Sequence, residues 1–174
     1  MRLMLLRHAK SEKGEPGMRD RDRALDQRGQ DDAPRIGAYM AQHRLLPTRA
    51  LVSTAQRTRE TWEGVAGAWP KPCPVDFVEG LYHASPEAIL DVIREAAPSA
   101  DGLLVIGHNP GLHDAARLLI ASGAVEARER LNEGLPTSGL VIIDVPGNDW
   151  RRLHARAGRL ERFVTPRSLK AAAD

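Results

Sequence analysis

Four short apolar runs stand out along the chain: Arg2–Leu6, Ala50–Val52, Leu103–Ile106 and Leu140–Val145. Each is nearly uninterrupted and lacks the strict alternation of a half-exposed strand, so each predicts a strand covered on both faces. Between them, apolar positions recur at helical spacing. Ala33, Ile36, Gly37 and Met40 form one stripe, and Thr58, Thr61, Trp62 and Val65 a less regular one. Ile89, Leu90, Ile93 and Ala97 share a third face, with Ser85 as N-cap and Pro86 at the first helical position. Leu112, Ala115, Ala116 and Leu119 make the fourth.

Strands that alternate with helices predict an α/β fold, a three-layer α/β/α sandwich around a mostly parallel sheet. The charged, imperfectly alternating segment Arg152–Val164 predicts an antiparallel edge strand, and Ser168–Asp174 reads as a loose tail. No internal repeat and no shift in composition marks a linker, so residues 1–174 are expected to form one domain. The stretch Glu12–Arg23 has no periodicity and carries Gly14, Pro16 and Gly17. A loop of this length is either a lid or binding loop, or a solvated charged connection.

Composition narrows the class. Apolar residues make up 42% and charged residues 28% of the chain, which is globular rather than disordered. No apolar run approaches the ~20 residues of a membrane span. The opening apolar stretch runs into Arg7 and His8 too soon for a signal-peptide core. Cys73 is the only cysteine, which rules out an internal disulfide and suits a reducing compartment, so a cytoplasmic location is expected. The net charge of +2 with a pI near 9.0 leans toward an anionic ligand. Arginines cluster between Arg151 and Arg167 without interleaved aromatic platforms, so no nucleic-acid partner is expected.

The candidate chemistry lies just after the strands. Arg7 and His8 follow the first. Ser53 and Thr54 follow the second, with Arg57 in the first turn of the next helix. Gly107-His108-Asn109-Pro110-Gly111 follows the third, at the start of another helix. Ligands of open α/β sheets bind outside the carboxyl ends of the strands, where helix N-termini also favour anions. Two arginines and two histidines therefore meet at one sheet edge. Arginine's planar fork matches phosphate oxygens in pairs, and a histidine among them can be a nucleophile or a proton carrier. Taken singly, each residue could be an ordinary surface pair, a solvated helix residue or a turn histidine; together they outline a phosphoryl pocket with its own nucleophile.

These residues carry a family resemblance. Leu5-Leu6-Arg7-His8-Ala9 resembles the Arg-His-Gly signature of the histidine phosphatase superfamily, the phosphoglycerate mutase-like fold, with Ala9 where most members have glycine. Ser53-Thr54-Ala55-Gln56-Arg57-Thr58-Arg59-Glu60-Thr61 is similar to its second signature and Val105-Ile106-Gly107-His108-Asn109 to its third. Leu25-Asp26-Gln27-Arg28-Gly29 resembles the opening of the family's first helix, with Asp26 as N-cap. The small size, the Leu-Arg-His-Ala opening, His108-Asn109-Pro110-Gly111 and Pro136-Thr137-Ser138-Gly139 are most similar to SixA-type phosphohistidine phosphatases. The resemblance implies that His8 is the nucleophile, that Arg7, Arg57 and His108 hold the phosphoryl oxygens, and that Ser53 and Asn109 assist. It also implies that a backbone carbonyl fixes the His8 tautomer.

Superfamily members that act on phosphate esters use a carboxylic acid to protonate the leaving oxygen. Glu79, after the strand-like Val75–Val78, is the candidate. SixA-type enzymes are thought to need none, and an imidazole whose conjugate acid has a pKa near ~6.5 leaves readily. The implied substrate is thus a phosphohistidine-carrying signalling protein, with a small phosphate ester and a non-catalytic phosphate-binding module as alternatives. No cofactor is expected. The remaining histidines, His43, His83, His113 and His154, form no paired metal-ligand motif, so no metal is expected either. Arg19, Arg21 and Arg23 in the long loop could meet an acidic phosphoprotein or simply face water.

Overall fold

The computed structural model describes residues 1–96 and 99–174; Ala97 of the third apolar stripe lies outside the described residues. In chain order the elements are β1 (Arg2–Arg7), α1 (Gln27–Gln42), β2 (Arg49–Ser53), α2 (Gln56–Gly67), β3 (Val75–Val78), α3 (Pro86–Ala96) and β4 (Gly102–Gly107). Then come α4 (Gly111–Leu119), β5 (Ile120–Gly123), α5 (Val125–Glu133), β6 (Leu140–Asp144), β7 (Gly158–Val164) and α6 (Pro166–Ala173). Short 3₁₀ turns occupy Asp20–Asp22, Glu79–Leu81 and Trp150–Arg152.

The seven strands of the described residues form one sheet in the order β3-β2-β4-β1-β6-β7-β5. β1, β2, β3 and β4 run parallel, β6 is antiparallel to both β1 and β7, and β5 is parallel to β7. The sheet is mostly parallel with one reversed strand, as expected, but the reversed strand is not the one expected. β7, within the charged Arg152–Val164 segment, runs in the same sense as β1; the reversed strand is β6, an inner one. The segment looked like an edge because its outward positions are charged. In fact β5 caps it, and Ile120–Gly123 is too short and too mixed to announce itself as a strand.

Both faces of the sheet are covered, which is why its inner strands read as continuous apolar runs. Leu3, Leu5, Leu103, Val105, Val141 and Ile143 pack toward α3 and α4. Their neighbours Met4, Leu6, Leu104, Ile106, Leu140 and Ile142 pack toward α1 and α2. All twelve are essentially inaccessible. The described members of the four helical stripes are buried too. Asp26 caps α1 by accepting from the Gly29 N–H at 2.9 Å, and the Ser85 hydroxyl accepts from Ala88 N–H at the start of α3.

The expected loose tail is instead ordered as a helix. Pro166–Ala173 is started by a reciprocal capping box between Thr165 and Ser168 with Pro166 in the first turn. Leu169 packs onto the core on the α1 side. One large apolar residue makes no stripe, so the helix depends on its cap and is invisible to periodicity. No helix of the described residues is long and apolar enough to cross a membrane.

Candidate active site

The carboxyl ends of β1, β2, β3 and β4 meet at one edge of the sheet, and the reversal of β6 brings its amino end there too. This is how Pro136-Thr137-Ser138-Gly139, late in the chain, reaches the first signature. Arg7 N–H donates to Gly139 C=O, His8 N–H to Gly107 C=O, and Ser138 N–H to the carbonyls of Arg7 and His8, all at 3.1–3.2 Å. Thr61 of α2 clamps the next peptide: Ala9 N–H donates to its hydroxyl at 2.9 Å, while the hydroxyl donates to Arg57 C=O. Among the described non-glycine residues positive φ is confined to Arg44, His83, Ser138 and Arg156, so Ala9 needs no glycine-only backbone and its Cβ is accommodated.

His8 is buried, and its Nδ1 lies 2.7 Å from the Ala9 carbonyl. A carbonyl can only accept, so Nδ1 carries the hydrogen and Nε2 carries the lone pair. Burial, opposed by the Ala9 hydrogen bond and reinforced by Arg57, Arg7 and Arg23, pushes the imidazole down to about 3. It is uncharged at neutral pH. The His108 ring lies 5.4 Å away, centroid to centroid, with its Nε2 2.7 Å from the Ser53 hydroxyl. Burial, with His8 and Arg57 nearby, lowers His108 to about 3 as well.

The two arginines bring fixed positive charge. Arg57 is 1% exposed; its Nη1 and Nη2 donate to the backbone carbonyl and carboxylate of Asp20 at 2.9 and 3.0 Å. Arg7 donates from Nη1 to the Leu135 carbonyl at 3.1 Å, and the Asn109 amide donates to the same oxygen at 2.8 Å. The Nε atoms of both arginines and Nδ1 of His108 are buried without a partner among the described residues. Burial and the Arg57 charge both lower the Arg7 guanidinium. Two mutually repelling cations with free donors are the arrangement that an oxyanion relieves.

These groups enclose a pocket of about 250 Å³ lined by Arg7, His8, Arg57, His108 and Asn109, with Lys10, Ser11, Lys13, Arg23, His83 and Thr137 around them. Ser53 stands behind His108 rather than on the wall. Glu79 is not brought in. It is exposed and ion-paired with Arg21 at 2.8 Å, and it accepts from the Thr54 hydroxyl. The Arg21 and Thr54 hydrogen bonds lower its carboxyl below the ordinary range.

The Glu12–Arg23 stretch proves to be part of the site. Arg23 lines the pocket, and Asp20 sits on Arg57 while accepting from the Tyr82 hydroxyl at 2.6 Å and from His83 at 2.9 Å. Partial burial opposes the Asp20 charge, but Tyr82, His83 and Arg57 outweigh it and hold the carboxyl well below its usual range. Asp20, Tyr82 and His83 were not candidates from the sequence. The only signal was the aperiodic loop itself. Arg19 pairs with Asp22 and Arg21 with Glu79, so both are tied to the protein's own surface.

Comparison with known proteins bears on the family and the fold. Residues 3–85 match the histidine phosphatase superfamily (branch 1). An uncharacterized protein of Mycobacterium leprae is 32% identical over 168 residues, covering 93% of this chain and all of the relative. A crystal structure described as a "putative phosphohistidine phosphatase SixA" from Agrobacterium tumefaciens superposes with a TM-score of 0.80 at 30% identity, over 95% of this chain and 97% of that one. A similarly described protein of Nakamurella multipartita shares the fold, with a TM-score of 0.83 at 24% identity and 95% coverage of both chains. With its Arg-His pair, second arginine and second histidine converging on one oxyanion pocket, this chain belongs to the histidine phosphatase superfamily and is a phosphatase.

Proposed function

We propose that the protein is a SixA-like phosphohistidine phosphatase working through a phosphorylated His8. The carrying observation is that, among the described residues, no carboxyl group lines the pocket around the uncharged His8. An alkoxide leaving group needs a proton donor, and Glu79 and Asp20 both lie off the wall and are ionised. A histidine leaving group does not, because its imidazole departs easily near neutral pH.

In the first step the Nε2 lone pair of His8 forms a bond to phosphorus as the bond from phosphorus to the substrate imidazole breaks; the freed ring nitrogen takes a proton from solvent. In the second, water attacks phosphorus, the bond to Nε2 breaks, and orthophosphate leaves with His8 restored. Arg7 and Arg57 spread the charge on the equatorial oxygens, which is most of what phosphoryl transfer asks of a protein. His108 meets the Ser53 hydroxyl at Nε2, and its unpartnered Nδ1 is left to serve a further phosphoryl oxygen. Asn109 holds the Leu135 carbonyl beside Arg7. This work needs no metal and suits the reducing cytoplasm, where Cys73 stays a thiol.

The test is a rapid alkaline quench during turnover of a protein carrying radiolabelled phosphohistidine. The labelled enzyme should be stable to base and lost in acid, and His8→Ala should yield neither label nor turnover, with or without a chelator. Full activity in His8→Ala would overturn the mechanism. Rapid hydrolysis of alkyl phosphates with no action on phosphohistidine would leave only a general phosphomonoesterase.

A further inference from the structure

A second and larger concavity, about 740 Å³, adjoins the phosphoryl pocket. Its floor is apolar, made by Leu135, Pro136, Phe163 and Pro166, and its rim carries Arg28, Arg130 and Arg167 against a single carboxylate, Glu133. Arg28 is partly matched by Asp32 at 3.5 Å, but Arg130 and Arg167 have no acidic partner among the described residues. Arg130 instead lies over the Phe163 ring, 5.2 Å from its centroid, so its charge is held at the groove rather than trailing in water.

The wall between groove and pocket is one strand of backbone. Thr137 lines both cavities, and Leu135 faces the groove while its carbonyl holds Arg7 and Asn109 of the pocket. A segment seated in the groove therefore lies beside the phosphoryl group under attack. The pocket, about one third the volume, has room for little beyond the phosphoryl group and its leaving ring.

Resting on the phosphohistidine reading, we propose that this groove docks the protein substrate, receiving an acidic segment with apolar side chains next to the phosphohistidine. Apolar contacts fill the floor, and carboxylates meet Arg130 and Arg167 at the rim. Such rim charges steer encounter and set specificity, and their effect weakens with salt.

The test compares wild type with the double variant Arg130→Glu, Arg167→Glu on two substrates: a phosphohistidine protein with an acidic surface, and an aryl phosphate. Both positions are exposed and outside the pocket, so the aryl phosphate kcat/KM should stay within about twofold. On the protein, kcat/KM should fall by about tenfold or more, mainly through KM. Raising salt should erode wild-type kcat/KM on the protein toward the variant's. Equal activity of variant and wild type on the protein would overturn the docking inference and leave the phosphohistidine reading intact. A wild type that hydrolyses the aryl phosphate but no phosphohistidine protein would overturn both.

Discussion

Two carboxylates lie near the phosphoryl pocket without lining it, and both are held in the ionised form. Asp20 is committed to Arg57, Tyr82 and His83, and Glu79 to Arg21 and Thr54. Each of these partners stabilises the ionised form, whereas a general acid must hold its proton near neutral pH. Glu79 sits where the sequence suggested an acid, at the end of β3, but its neighbours give it another task. It fixes Arg21, and with it the Asp20–Asp22 turn that places Asp20 on Arg57. Glu79→Gln should therefore change kcat on a phosphohistidine protein by no more than about threefold. A lost general acid would cost ~100- to 10,000-fold on an alkyl phosphate. Steady-state rates on both substrates decide between the two. A loss of the larger size would make Glu79 the acid despite its ion pair.

At the scale of elements, the site depends on α2, which carries both Arg57 and the Thr61 clamp. α2 packs on α1 at very close range. A Cβ on Gly37 would fall 2.2 Å from the Val65 carbonyl oxygen, and one on Gly64 would fall 2.8 Å from Ala33 Cβ. Trp69 Nε1–H also donates to the Gly37 carbonyl at 3.2 Å. Gly37→Ala should gain up to ~1 kcal/mol in helix propensity, but forcing the helices apart should cost ~1–3 kcal/mol or more. Backbone oxygen cannot swing aside as a side chain can, so the cost should win. Urea denaturation should show a lower midpoint, and an unchanged or raised midpoint would show that the helices separate freely. Gly37 was read from the sequence only as a member of an apolar stripe, because the stripe shows which face is buried and not how near the partner comes. The same limit explains the other misses. Buried inner strands announce themselves by unbroken apolar runs, and α1 to α4 by their stripes. β5 offers four mixed residues, α5 buries only Leu131, and α6 hangs on its cap. Likewise Arg7, His8, Arg57 and His108 were legible because each ends or follows a strand or starts a helix. Asp20 was not, because its role comes from a loop folding across the sheet edge.

Over the whole molecule, the site imposes a dependence of stability on pH. Burial keeps His8 and His108 uncharged, with folded-state values of about 3, whereas an unfolded chain gives each histidine an ordinary value of ~6.5. Between those limits the unfolded chain binds the protons that the folded protein refuses, so stability rises with pH. The contribution is fully present above pH ~6.5 and is lost progressively as pH falls toward 3. From pH 6.5 to 5 each histidine accounts for at most about 2 kcal/mol, at ~1.4 kcal/mol per pH unit. This is a large share of the ~5–15 kcal/mol available to a domain. Asp20, whose carboxyl is held low, should stay ionised across that window and add little to the slope. Orthophosphate in the pocket should favour protonated imidazole and so flatten the slope. The measurement is the free energy of unfolding in urea from pH 7.5 to 5, with and without millimolar phosphate, for wild type and for His8→Asn, His108→Asn. Wild type should lose up to about 4 kcal/mol between pH 6.5 and 5, and the double variant much less. Equal slopes for the two proteins would mean that these buried histidines do not set the acid limit of the fold.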